Sequence, residues 1–119
     1  MAKNFTVSLA EIIKETMLET VCLPAKPDEI MIVSADVNRP GLQLGGYFDY
    51  FDSTRIQVLG KSEIGFLEDL SAEIRTVRIE DFVSRQPPAI IVCRNLDLIP
   101  ELSKCCVRYN VPLLKSQDS

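Results

Sequence analysis

At 119 residues, with 46% hydrophobic and 25% charged side chains, the chain has the make-up of a single globular domain built around one core. Its net charge of −4 is spread thinly, with 5 basic and 8 acidic residues in 1–60 and 8 and 9 in 61–119, so neither half carries the clustered Lys/Arg surface on which nucleic-acid binding rests. There is no histidine and the four cysteines form no C-x-x-C pair, which excludes Ser-His-acid and Cys-His catalysis and leaves little for a zinc site.

No apolar run approaches the roughly 20 residues that span a bilayer, and residues 1–5 do not begin a signal peptide, so a cytoplasmic protein without a membrane segment is expected. In chain order, Ser8 and Glu11 have capping-box spacing and lead Leu9, Ile12, Ile13 and Met17, which predicts a helix over 9–17. Residues 18–23 are strand-compatible, the two prolines of 24–28 interrupt them, and 29–33 read as the first strong strand. Periodicity then fails over 34–53, where three of the five glycines stand beside Tyr47, Phe48, Tyr50 and Phe51. A long structured loop or a short helix starting near Gly46 is expected there.

Residues 55–59 predict a short strand with Ile56 and Val58 on one face and Arg55, Gln57 and Leu59 on the other, ended by Gly60. Ile64, Leu67 and Leu70 mark one helix, and Ile74, Val77, Ile79, Phe82 and Val83 a second that closes before Pro87-Pro88. The apolar run 89–93 reads as a parallel strand buried on both faces. A helix over 98–109 with Pro100 in its first turn, a stop at Asn110 and a strand over 111–114 complete a β-α-β unit. The fold class that follows is α/β, a layered domain with a mixed, partly parallel sheet flanked by helices. The polar tail 116–119 has the look of a linker.

Candidate chemistry is sparse. Gly60-Lys61-Ser62 sits between a strand and a helix as the end of a phosphate loop would, yet Arg55 occupies the place of the required earlier glycine and 56–59 are strand residues. A tight turn with Ser62 capping the helix is the plainer expectation. Glu68-Asp69 and Glu80-Asp81 read as solvated helix faces, and Asp49 and Asp52 as caps or surface positions before general bases. Asn38-Arg39-Pro40-Gly41 predicts a turn with Gly41 at positive φ, displaying Arg39 either for a structural salt bridge or for a ligand or partner. Cys22 and Cys93 fall in apolar runs, and of the adjacent Cys105 and Cys106, about 100° apart on a helix, at most one should face the core, leaving the other open to a redox role.

The segments 38–44 (Asn38-Arg39-Pro40-Gly41-Leu42-Gln43-Leu44), 46–51 (Gly46-Tyr47-Phe48-Asp49-Tyr50-Phe51) and 55–63 (Arg55 to Glu63, with Gly60-Lys61-Ser62) resemble the amino-terminal domain of bacterial HPr kinase/phosphorylase. Residues 88–92 and 111–114 resemble the family's later strands, so the resemblance covers nearly the whole chain, departing from it at Gly45 and over 20–26. It implies a regulatory or assembly domain of an enzyme that phosphorylates a regulatory serine of HPr with ATP or pyrophosphate, and removes the phosphate by phosphorolysis, in carbon catabolite control. The resemblance places the P-loop, the Mg ligands and the HPr-facing elements in a catalytic domain downstream of 1–119, in a homo-hexameric parent, with no catalytic residue, metal or cofactor in this domain. It also implies a likeness to the amino-terminal domains of peptidoglycan ligases, which keeps a free-standing sensor of nucleotides or phosphorylated metabolites as the alternative. Asn38, Arg39, Gly41, Tyr47, Phe48, Arg55 and Lys61 are the candidate ligand or domain contacts.

Overall fold

The computed structural model describes residues 6–23, 26–93 and 96–116. The expected breaks at 24–25, the start at 1–5 and most of the polar tail lie outside these.

A short β1 (Val7–Ser8) leads into α1 (Leu9–Thr16), and the Ser8 hydroxyl accepts from the Glu11 amide at 3.2 Å as the capping-box spacing predicts. Met17 closes α1 in the left-handed region, at φ 55°. β2 (Glu19–Cys22) follows, then β3 (Met31–Ile32), which pairs antiparallel with β1 in a separate two-stranded sheet. The strand expected over 29–33 is therefore only two residues long, because Glu29 is spent in a turn that bonds back to Lys26 at 3.0 Å.

The main sheet runs β2-β7-β6-β5-β4, built with β4 (Val37–Asn38), β5 (Ile56–Leu59), β6 (Ile90–Val92) and β7 (Leu113–Lys115) all parallel and β2 antiparallel at the β7 edge. Three successive parallel steps in one direction, each with the same hand of crossover, carry the connecting helices to one face. That face holds α2 (Gly41–Leu44), α3 (Lys61–Asp69), α4 (Ala72–Val83) and α5 (Pro100–Tyr109), whose Leu44, Leu67, Phe82 and Leu102 pack with Leu59, Val92 and Leu113 in the main core. The opposite face is covered by α1 and the small sheet, through a second cluster of Leu9, Ile32, Ile56, Ala89 and Leu114.

The β-α-β unit stands as expected: Pro100 opens α5, Asn110 ends it at φ 58°, and β6 and β7 pair in register Ile90↔Leu113. Ser71 caps α4 by accepting from the Ile74 amide. α3 lacks a glycine stop. Arg75 of α4 closes it instead, donating to the carbonyls of Leu67 (2.8 Å), Glu68 (3.1 Å) and Leu70 (2.9 Å) and pairing with Glu101 at 3.1 Å.

Several expectations are corrected. The short helix of the irregular stretch lies over Gly41–Leu44, before Gly46, and β4 precedes it. Gly41 has no positive φ; a 2.9 Å bond from its amide to the Arg39 carbonyl tightens the chain at Pro40, and Gly46 is the glycine at positive φ, 98°. A Cβ on Gly46 would also stand 2.7 Å from the Arg78 guanidinium. Ile74 and Val77 face solvent, since α4 is covered only along its Ile79, Phe82 and Val83 side. Both Cys105 and Cys106 are buried, because α5 is enclosed by α4 on one side and by β2 on another. Burial pushes both thiols up, Cys106 to about 12, so neither is a reactive thiolate.

Candidate ligand and domain-contact site

β4 and β5 end side by side, with Asn38 opposite Gln57, so the candidate residues of the 38–41 turn and of 60–61 meet at the carboxy-terminal edge of the sheet. Gln57 points to the helical face with Leu59, as the alternation predicts, but as a wholly buried amide it needs partners there. It donates from Nε2 to the Arg55 carbonyl at 2.9 Å, and its Oε1 accepts from Asn38 Nδ2 at 2.7 Å. The same Asn38 amide reaches the buried Gln43 Oε1 at 3.3 Å. Asn38 is thus a clamp between β5 and α2.

Arg39 lies across Gly60. Its Nε and Nη2 donate to Glu63 Oε1 at 3.2 and 2.8 Å, and that oxygen also accepts from the Gly60 amide at 2.7 Å. Burial alone would raise the Glu63 carboxyl; the Arg39 hydrogen bond, the Gly60 and Glu63 amides and the Arg39 charge outweigh it and hold the group below its ordinary value. The same bond raises Arg39. A Cβ at Gly60 would fall 2.5 Å from Arg39 Nη2, so glycine is needed here for room. The amide of Gly60, the N-cap of α3, is therefore bonded to the protein's own carboxylate, and Glu63, three residues on, makes the cap expected of Ser62, which is exposed. Lys61 is exposed at the first position of the helix.

Arg55 is held between two carboxylates, with Nε 3.4 Å from Asp52 and an Nη2 3.9 Å from Asp36. Asp52 in turn accepts from the Thr54 amide at 2.9 Å and from its hydroxyl, which with Arg55 lowers its carboxyl. It is a turn-former and not a poised base. Asn38 and Arg55 line a polar hollow of only about 90 Å³ with Tyr50 and Asp52. In the aromatic stretch, Phe48 is fixed by the Arg85 guanidinium 3.6 Å above its ring and by an edge contact to Phe51 at 5.7 Å, and Phe51 leans on Phe82. Tyr47 is half-exposed and Tyr50, at φ 66°, is 98% exposed.

The structure thus gathers the candidates into two neighbouring groups, Asn38 with Gln43, Gln57 and the Arg55 carbonyl, and Arg39 with Glu63 and the Gly60 amide, with Lys61 beside the second; Phe48 lies apart under Arg85, Tyr47 stays half-exposed, and Gly41 has open space around its α-carbon. Gln43 and Gln57 complete the first group and Glu63 the second, without having been singled out in the sequence. Glu63 carried a readable signal, standing three residues after a helix-opening glycine. Also unforeseen is an apolar groove of about 420 Å³ on the opposite face, between α1, β3 and the sheet, floored by Val58 and its neighbour Ile91. Among the described residues no helix is long and apolar enough to cross a membrane, and no group of His, Cys, Asp and Glu could hold a metal ion.

Residues 7–119 match the family model for the HPr Serine kinase N terminus. The chain is 39% identical over 110 residues to the HPr kinase/phosphorylase of Clostridium perfringens (strain SM101), covering 92% of this chain and 35% of that protein. It is 40% identical over 111 residues to that of Clostridium acetobutylicum (strain ATCC 824), covering 93% and 36%. With the enzyme of Caldicellulosiruptor bescii it shares 35% identity over 114 residues, 96% of this chain and 37% of that one. The chain thus spans about a third of the length of the curated relatives it matches. It belongs to the HPr kinase/phosphorylase amino-terminal domain family.

Proposed function

We propose that this domain is the regulatory or assembly module of a bifunctional enzyme that phosphorylates a regulatory serine of HPr, with ATP or pyrophosphate, and dephosphorylates it in carbon catabolite control. The observation that carries this reading is the match of 7–119 to an amino-terminal domain whose relatives are named HPr kinase/phosphorylase and are nearly three times as long. The Gly60-Lys61-Ser62 turn agrees with it. A phosphate cradle needs free amides, and the Gly60 amide is bonded to Glu63. ATP or pyrophosphate and Mg are accordingly assigned to a P-loop domain downstream of 1–119, in a cytoplasmic homo-hexamer, with HPr and that catalytic domain as partners.

Arg39 and Asn38 act in this reading as a brace for the sheet edge, and the exposed Tyr47, Tyr50 and Leu42 present a surface to the rest of the enzyme. The alternative, a sensor of nucleotides or phosphorylated metabolites as suggested by likeness to peptidoglycan ligases, would require Arg39 and Arg55 to leave Glu63 and Asp52 for the ligand. The test is phosphate transfer to HPr by the full-length gene product and by the 119-residue chain. Transfer by the first and none by the second is expected; transfer by the short chain, or by neither, would overturn the assignment. A thermal-shift series with ATP, uridine nucleotides and sugar phosphates addresses the sensor, since ligand at 100 times its Kd stabilises by about 2.7 kcal/mol.

A further inference from the structure

The groove on the α1 face has an unusual address. Its walls include Ile12 of α1, Ile32 of β3 and Val37 of β4; its floor is Val58 and Ile91; its far end is Cys93 and Ser116. Among the described residues no ionic side chain lines it, and its edge is open to solvent: the lining residue Val37 is 53% exposed and Ala35 is exposed as well. Half of a central parallel strand pair is thus left bare where such strands are normally covered on both faces.

The end of the last strand lies at that same spot. The Ser116 amide donates to the Val92 carbonyl at 2.9 Å, which holds the chain against β6 and brings it out of β7 at the lip of the groove. The match covers only about a third of the relatives' length, and the family model that the region matches is that of an N terminus. We propose that the groove is the seat of apolar side chains from the segment that follows this domain in the longer protein, bound in cis. This rests on reading the chain as the amino-terminal part of an HPr kinase/phosphorylase. A hollow of this size falls in the ~300–1,000 Å³ range of small-ligand pockets, so size alone does not choose the occupant. Tethering does. A segment continuing directly from the lip is present at an effective concentration on the order of millimolar, which a free apolar molecule or a freely diffusing second copy does not match. The apolar side chains that line it, Ile12, Ile32, Val37, Val58 and Ile91, add that the occupant is apolar where it enters.

The test reads the half-buried Cys93 thiol in a Cys22→Ser background, where Cys105 and Cys106 are buried. Alkylation by a small maleimide should slow on the order of tenfold between the 119-residue chain and the full-length gene product, independently of protein concentration, as expected for an intramolecular partner. Val37→Asp should restore the fast rate in the full-length protein while leaving the melting temperature of the short chain near its starting value, and Ala35→Asp, at an exposed lining position, serves as a second charge should the first impair folding. Equal rates in both proteins would overturn the proposal, as would protection that rises with concentration, the mark of a second copy. Protection of the short chain removed by solvent extraction would overturn it in favour of a small apolar ligand, and so would a gene ending at Ser119. Transfer to HPr, measured on the same full-length sample, keeps the two readings separate: an active kinase with an unprotected groove sinks only the groove assignment, and a protected groove without transfer sinks only the enzymatic one.

Discussion

The two faces of the main sheet are built to different standards. On the helical face, Leu59, Ile90, Val92 and Leu113 are all but wholly buried under α2 to α5. On the other, α1 and a two-stranded sheet cover Ile56, Ala89 and Leu114 but leave Val58 and Ile91 half-covered. Both faces are apolar, so hydrophobic patterning does not distinguish them. The difference lies in how many elements the chain supplies to each, and it separates the face that holds the fold together from the face that keeps surface for something else.

Substitutions can break or sharpen that contrast. The largest effect is expected of Phe82→Ala, which empties a fully buried ring site on the helical face and should cost about 3–5 kcal/mol in a denaturant titration. Val58→Ala on the groove floor, where solvent already reaches, should cost about 1 kcal/mol or less, and an equal loss at both sites would remove the distinction. Next comes Arg75→Ala, which strips three carbonyls at the end of α3 of their donor and leaves Glu101 unpaired; about 2–3 kcal/mol is expected, with only partial rescue by Arg75→Lys because an ammonium cannot reproduce the planar fork.

Glu63→Gln probes the sheet edge between the faces. It removes a charge-assisted bond to Arg39 and should cost about 1–2 kcal/mol at neutral pH. Since the folded Glu63 carboxyl lies below its ordinary 4.5, its contribution is present above that value and is lost as pH falls through the folded one. The difference between wild type and variant should therefore shrink under acid, and a constant difference would refute the pairing. The smallest effect belongs to Gly41→Ala, where the new methyl meets nothing within 4 Å and φ is ordinary; melting should show no loss, or a gain of about 0.5 kcal/mol from the stiffer unfolded chain.

Much of this architecture was legible in the residues where local and long-range preferences agree. Ser8 ahead of helical spacing, Pro100 and Asn110 bracketing α5, and the apolar run at β6 each announced what formed. The illegible parts depend on partners distant in sequence. β1, β3 and β4 are two residues each, too short for alternation to register, and exist only because another strand pairs with them. The burial of both Cys105 and Cys106 follows from α5 having covered flanks on two sides, which a helical wheel does not reveal. Of the candidate site, the residues of the 38–41 turn and Arg55 were visible as a group, but their partners were not: Asn38 is held by Gln57 and Arg39 by Glu63. Buried amides and carboxylates look like surface residues until their partners are in place.

β7 has a ladder on each side, antiparallel to β2 and parallel to β6, and Ser116 adds one more bond at its end. A pull on the chain beyond Lys115 cannot peel this strand from an edge; it must slide the strand lengthwise against both neighbours at once, breaking their hydrogen bonds together and dragging Leu113 and Leu114 out of two cores. Mechanically the domain is a stiff handle: force or displacement arriving at its carboxy-terminal end is passed to the whole sheet instead of being absorbed by a yielding strand.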